Sequence, residues 1–416
     1  MRAVRTAESD ELFARLNGPE GRRDPYPIYG ELQRIAPFLE HPDGSIVPTR
    51  YAACDQVGRD SRNFGRSDPD RFFADLALPN WRDFPALKLL NTSMATANPP
   101  VHTRLRRIVS SHFTARRVEE LRLGIERLVP DLLDDLADGG DVIERVAFPL
   151  SASVMGELLG IPAADRARFK SLMGDWMLIL DEFSEESFTR SNAAAASIEE
   201  YFTAFVADLR AAPGEDLMSR LVSPASHGDG TDSPDTLDTE EAVAMAALLF
   251  SGGFETTMHL LGNSLVALLE HPDQLAALRS EPDLERTAVE ELLRFDSPVQ
   301  VSGREVLTET ELGGPGGLRV GPGDRVKIYV GAANRDPQQF PDPHRLDLRR
   351  DQGPHVSFGG GIHFCLGAPL TRLETSIALP ALVRRYPDLA LVGTPRRRDS
   401  LSMRGFDFLE VTVGSP

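Results

Sequence analysis

Cys365 follows the run Phe358-Gly359-Gly360-Gly361-Ile362-His363-Phe364 and precedes Leu366-Gly367. One thiol thus sits after a glycine-rich loop, at the start of a helix-like segment from Leu366 to Arg385. First-turn N–H groups and the helix macrodipole favour an anion there and lower a cysteine pKa. A thiolate held this way is a strong ligand for a soft or borderline metal. Blander accounts exist. A lone Cys is most often a small buried hydrophobe. Zinc needs further thiols or histidines at ligand spacing, and the only cysteines are Cys54 and Cys365. A dinucleotide loop needs G-x-G-x-x-G after a strand, which this run does not spell.

Gly252-Gly253-Phe254-Glu255-Thr256-Thr257 places an acid and a hydroxyl directly after two glycines inside a helical pattern. Each mid-helix Gly costs about 1 kcal/mol relative to Ala, so the pair needs a reason. Close packing of a neighbouring helix is one reason, and opening of the backbone at a functional bulge is another. Glu291-Leu292-Leu293-Arg294 pairs opposite charges at i,i+3 on a helix whose apolar positions mark a buried face. An exposed pair of that kind is worth only tenths of a kcal/mol. Pro99-Pro100-Val101-His102 with Arg106 sets two cationic side chains on one helix face, where a solvated surface is the ordinary reading.

These residues need a large framework, and the chain has 416 residues with 41% hydrophobic content. No long linker divides it, so one large α-rich domain over 1–416 is expected. A β-containing part at about 20–60 (helix Pro27 to Ile35, strand-like Ser45 to Pro48) precedes a helical bulk at about 100–300. A β-containing, Cys-loop part at about 300–416 closes the chain. Residues 223–238 are polar and Gly/Pro-rich and read as a mobile connection. Asp238 and Glu241 form a capping box opening a helix from Thr239 to about Glu270. Glu281-Pro282-Asp283 opens another helix ending at Phe295. Glycine runs at 313–317 and 321–323 mark hairpins.

The net charge of −18 argues against nucleic acid or an anionic membrane surface. Two cysteines give no disulfide framework and suit a reducing cytosol. The first residues lack a signal-peptide core, and the longest apolar run, Ala242 to Phe250, has nine residues. A cytoplasmic protein is expected.

The pattern F-x-x-G-x-H-x-C-x-G, with Leu370 and Arg372 following, resembles the haem-ligand loop of the cytochrome P-450 superfamily, soluble bacterial type. The resemblance runs through nearly the whole chain in the expected order. It implies a mainly α fold with small β-sheets, a single large triangular domain with haem b between a long central helix and the cysteine-loop helix. Cys365 would be the axial thiolate, with Phe358 beside it. Gly252 would open the oxygen-binding helix, with Glu255 and Thr256 as the acid–alcohol pair. His102, Arg106, Arg304 and His363 match propionate-binding positions. Glu291, Arg294 and Arg345 match a structural Glu-Arg-Arg network. The departures are Asn98 for a frequent Asp, Leu346 for Phe and Thr371 for Ala.

The resemblance further implies a monooxygenase that hydroxylates or epoxidises an apolar, medium-to-large molecule such as a polyketide, macrolide, terpenoid or peptide natural product. Electrons would arrive from NAD(P)H through a ferredoxin reductase and ferredoxin, and a positive face of Arg107, Arg116, Arg117 and Arg372 would dock the ferredoxin. A monomer is expected. By position, Leu248, Ser251, Gly252, Val299, Val301, Ser402 and Met403 line the pocket, under a loop at about 68–96 containing Phe84, Leu89, Leu90 and Met94. Rival readings are a peroxide-using or isomerising haem-thiolate enzyme and a non-catalytic haem sensor or carrier.

Overall fold

A computed structural model describes residues 2–181, 184–223, 236–351 and 353–414. Most of the connection expected at 223–238 therefore lies outside the described residues. The elements that position the site are, in order, α1 (Tyr26–Ile35), β1 (Phe38–Glu40), β2 (Ile46–Pro48), β3 (Phe64–Gly65), α2 (Pro85–Asn91) and α3 (Val101–His112). They continue with α4 (Phe148–Leu159), α5 (Glu185–Ala211), α6 (Thr239–Glu270), α7 (Glu285–Phe295), β4 (Val301–Val306), β5 (Arg325–Tyr329) and α8 (Ala368–Arg385). Family-scale architecture aside, two compact units emerge: residues 1–65, 126–147 and 256–416 make the first, and 66–125 and 148–255 the second.

The first unit holds a five-stranded sheet in the order β1-β2-β5-β4-β3. The β4–β5 pairing is antiparallel, with Val301 opposite Tyr329 and Arg304 opposite Val326. The last three residues of β4, Arg304, Glu305 and Val306, are all buried. The glycines at 313–317 close a hairpin between Thr310–Leu312 and Leu318–Val320, as their turn chemistry predicts. The packed apolar groups under the sheet include Phe38, Val57, Phe64, Val306, Val326 and Phe340.

On α7 the Glu291–Arg294 pair is not a surface pair. Arg294 donates through Nε and Nη2 to both Glu291 oxygens at 2.7 and 2.8 Å, with both side chains fully buried. Arg294 Nη1 also donates to the carbonyls of Asn334 and Pro343, each at 2.9 Å. The third guanidinium is not that of Arg345, whose side chain is exposed and which offers Arg294 its carbonyl at 3.3 Å. Arg350 takes that place, its Nε 3.1 Å from Glu291 Oε1. The turns between Phe340 and Arg350 bring the later arginine, not the expected one, over α7.

The second unit packs α2 to α5 and the first half of α6, with aromatic contacts among Phe169, Phe202, Phe250 and Phe254. The capping box is present: Glu241 N–H donates to Asp238 Oδ1 at 2.8 Å, and Asp238 N–H to Glu241 Oε2 at 3.2 Å. Helix α6 then runs its expected 32 residues without interruption. The segment at 68–96 is not a loop. It forms helices Pro69–Asp75 and α2 with a 3-10 turn at Trp81–Asp83, because Phe73, Trp81 and Leu87 share an apolar cluster with Ile179.

Candidate active site

In the first unit, Gly359 (φ +68°) and Gly361 (φ +60°) hold left-handed backbone that favours glycine. A Cβ on Gly361 would also come 2.8 Å from the carbonyl oxygens of Gly58 and Arg59. These turns let Cys365 N–H donate back to the Phe358 carbonyl at 2.9 Å. The thiol is half-buried against Leu260, Val289, Leu293, Phe358 and Ala368. Helix α8 begins at Ala368, so Cys365 stands before the helix and not in its first turn. Pro369 fixes that start, because proline is tolerated without cost only where an N–H would go unused. Arg372 is stacked 4.7 Å over the Phe358 ring and held by both oxygens of Glu290 at 2.6 and 2.9 Å. Burial raises the Glu290 carboxyl, but hydrogen bonds and charge from Arg372 and His355 outweigh it and bring its pKa to about 2.

Arg304 is 6% exposed and donates to Ser302 Oγ at 3.2 Å and the Gly303 carbonyl at 2.7 Å. Burial pulls its pKa down to about 10, and among the described residues no carboxylate forms an ion pair with it. His363, in the 3-10 turn Gly361–His363, is half-buried. Both belong to the unit that carries Cys365.

In the second unit, Asn98 Oδ1 accepts from the Arg66 N–H at 2.8 Å and Asn98 Nδ2 donates to the Arg66 carbonyl at 2.7 Å. Asn98 therefore anchors the start of α3 itself, where Asp was the expected residue. His102 is buried, and burial first, then the charges of Arg106 and Arg66, lower its pKa. The motif pointed to His102 and Arg106. It gave no hint of Arg66, which lies outside any helical spacing with them.

Helix α6 is buried on nearly every side, yet Leu248, Gly252 and Thr256, four residues apart, are each partly or fully open. They form one row along the helix. A Cβ on Gly252 would meet nothing within 4 Å, whereas one on Gly253 would lie 2.3 Å from Met155 Sδ. The two glycines therefore have different reasons. Gly253 admits α4, and Gly252 leaves a space. The expected opening of the backbone is not seen, since α6 is α-helical throughout. Glu255 and Ser251 are buried, and the Thr257 and Thr371 hydroxyls meet at 3.3 Å.

Val299, Val301, Ser402 and Met403 are half-buried, with Val299 and Met403 joined in a β-bridge. Met94, in the second unit, is buried. Of the basic residues expected to form a docking face, Arg107 and Arg116 are exposed, while Arg116 and Arg117 both pair with Glu120 and Arg372 with Glu290. That set is mixed in charge. Glu374 escaped the motif reading: it is fully buried on α8, and burial pushes its carboxyl well above the usual range.

In the first unit the residues present fit a haem: Arg304 is buried and, among the described residues, pairs with no carboxylate, which leaves it suited to a propionate. A half-buried thiol on a glycine-built loop, with a buried guanidinium in the same unit, is the donor set expected of the haem-thiolate class. The cytochrome P450 family model matches residues 165–391. The chain is 37% identical to 6-deoxyerythronolide B hydroxylase of Saccharopolyspora erythraea, over 94% of this chain and 96% of that protein. It is 40% identical to the cytochrome P450 monooxygenase PikC of Streptomyces venezuelae, over 94% of this chain and 90% of that one. Among solved structures, Mycobacterium smegmatis CYP164A2 with econazole bound superposes with a TM-score of 0.86 at 34% identity, covering 97% of this chain and all of that one. The chain belongs to the cytochrome P450 family. It is a monooxygenase whose cofactor is haem b with a cysteine thiolate as axial ligand. Among the described residues, no helix is long and apolar enough to cross a membrane.

Proposed function

We propose that the chain inserts one oxygen atom from O₂ into a medium-to-large apolar natural product of polyketide or macrolide type, by hydroxylation or epoxidation. The observation that carries the site is the Cys365 loop, with its half-buried thiol backed by an apolar cluster. The substrate class rests on relatives whose names are those of a 6-deoxyerythronolide B hydroxylase and of PksS, a polyketide-biosynthesis P450 of Bacillus subtilis. Cys365 would hold the haem through its thiolate, and the bound group would supply oxygen activation.

The chain's own residues do the rest. Arg304 and His363 of the first unit, and His102 and Arg106 of the second, would each serve as a charge-assisted partner for a propionate. Glu255 holds a proton and the Thr256 hydroxyl passes it toward the oxygen site as a general acid. Gly252 keeps space free beside Thr256. In the first unit Val299, Val301, Ser402 and Met403 would face the substrate, and in the second Leu248, Ser251 and Met94 would do so. Electrons come from NAD(P)H through a reductase and an acidic ferredoxin docking near Arg107 and Arg116.

The test is the reduced CO complex. Wild type shows the red-shifted, thiolate-type Soret band and Cys365→Ala loses it; a band that survives the substitution removes Cys365 from the iron.

A further inference from the structure

Val301 opens β4, whereas Val299, Ser402 and Met403 lie outside the strands. The two segments that carry these residues meet through the Val299–Met403 bridge, through Gln300 N–H donating to the Ser402 carbonyl at 2.8 Å, and through Arg404 N–H donating to the Pro298 carbonyl at 2.7 Å. What stands behind them is ionic. Arg404 Nε donates to Asp296 Oδ1 at 2.6 Å, with side chains only 6% and 9% exposed. The Tyr26 hydroxyl donates to the same oxygen at 2.8 Å and accepts from Gln300 Nε2 at 3.3 Å. Gln300 Nε2 also donates to the Ser297 carbonyl at 2.7 Å. Arg404 Nη1 donates to the Arg23 carbonyl at 2.9 Å, and Arg335 lies 3.7 Å over the Tyr26 ring. From α6, Asn263 Nδ2 reaches the carbonyls of both Asp296 and Arg404, at 3.3 and 3.1 Å. The second segment also presses on α6, since a Cβ on Gly405 would come 2.0 Å from His259 Nδ1.

The Asp296 carboxylate, bonded to Arg404 and 3.8 Å from Arg397 Nη2, thus ties the start of the first segment to the end of the second, to α1 and to α6. A buried pair of this kind is a weak source of stability, because desolvation cancels much of the attraction. What it supplies well is a fixed geometry, since the Asp296–Arg404 bond is lost if either segment slides. We infer that the Asp296–Arg404 pair positions the pocket wall formed by Val299, Val301, Ser402 and Met403, and through that wall selects the shape of the bound substrate. Neither residue touches substrate; both act through the segments they hold. The inference rests on the reading of those four residues as pocket lining.

The test uses the holoprotein and the double variant Asp296→Asn/Arg404→Gln, which keeps hydrogen-bonding groups while removing both charges. Two probes are titrated, imidazole and 4-phenylimidazole, each placing a ring nitrogen on the iron while only the second projects a phenyl ring into the pocket. The imidazole dissociation constant stays within about twofold and that of 4-phenylimidazole rises about tenfold, the scale of a modest misfit in an apolar pocket. Amide hydrogen exchange at Gln300, Met403 and Arg404 accelerates about tenfold, reporting a loosened segment independently of haem. Unchanged exchange overturns the positioning role. Faster exchange with unchanged 4-phenylimidazole binding overturns the pocket reading instead. Should the double variant not accumulate as folded protein, Tyr26→Phe removes one bond to Asp296 with the ring kept, and the same two outcomes decide the question in the same directions with smaller shifts.

Discussion

Gly252 and Gly253 are adjacent in the sequence, and opposite responses to alanine follow from their surroundings. Each Gly→Ala change inside a helix gains about 1 kcal/mol in propensity. At Gly252 a new Cβ meets nothing within 4 Å, so that gain is realised in full. At Gly253 the Cβ lands 2.3 Å from Met155 Sδ, 2.6 Å from its Cε and 2.7 Å from its Cγ. Met155 is buried at 2% exposure and cannot simply retreat to solvent. Overpacking at such a site costs about 1–3 kcal/mol, which consumes the propensity gain and leaves Gly253→Ala destabilised by up to about 2 kcal/mol. The two variants therefore differ by about 1–3 kcal/mol, with Gly252→Ala above wild type. Urea unfolding of the haem-free proteins, followed by far-UV circular dichroism, measures the difference. If Gly253→Ala proves as stable as Gly252→Ala, the division of labour drawn between the two glycines is wrong.

Arg304→Gln should leave the haem-free protein as stable as wild type or more so, because it removes a buried cation that pairs with no carboxylate among the described residues. The same change should speed haem loss to apomyoglobin about tenfold or more, the worth of one charge-assisted hydrogen bond; simultaneous loss of apoprotein stability would contradict it. Glu290 carries a pKa depressed from 4.5 to about 2 in the fold. It stabilises the native state above about pH 4.5, and that contribution disappears as the pH falls toward 2. Stability measured between pH 6 and 3 should fall less steeply in Glu290→Gln, and parallel acid limbs would rule the pair out as a contributor. Thr256→Ala should retain haem while diverting reducing equivalents to peroxide, and unchanged coupling of NAD(P)H consumption to product would show the hydroxyl to be dispensable.

Local chemistry made much of the fold legible. Caps, glycine turns and apolar period act over a few residues, so the Asp238–Glu241 box, α6 and the hairpin at 310–320 follow from their own sequences. The segment at 68–96 is helical where its sequence reads as a loop, because its helices are short and depend on a shared aromatic cluster. Arg345 and Arg350 are equivalent by composition, and only the path of the chain after Phe340 decides which guanidinium reaches Glu291. Arg66 and Glu374 had no spacing signal at all.

The sequence by itself determined the class of chemistry. A thiol after a glycine loop, an acid beside an alcohol and cations on α3 are set by order along the chain, and order fixes what neighbours a turn can bring together. Only the tertiary structure decided which charges are buried and which are compensated. Among the described residues Arg304 pairs with no carboxylate while Arg294 is held by Glu291 and neighbouring carbonyls, and Gly252 is open while Gly253 is filled. Desolvation and close packing arise from residues far apart in sequence, and no local pattern carries that information.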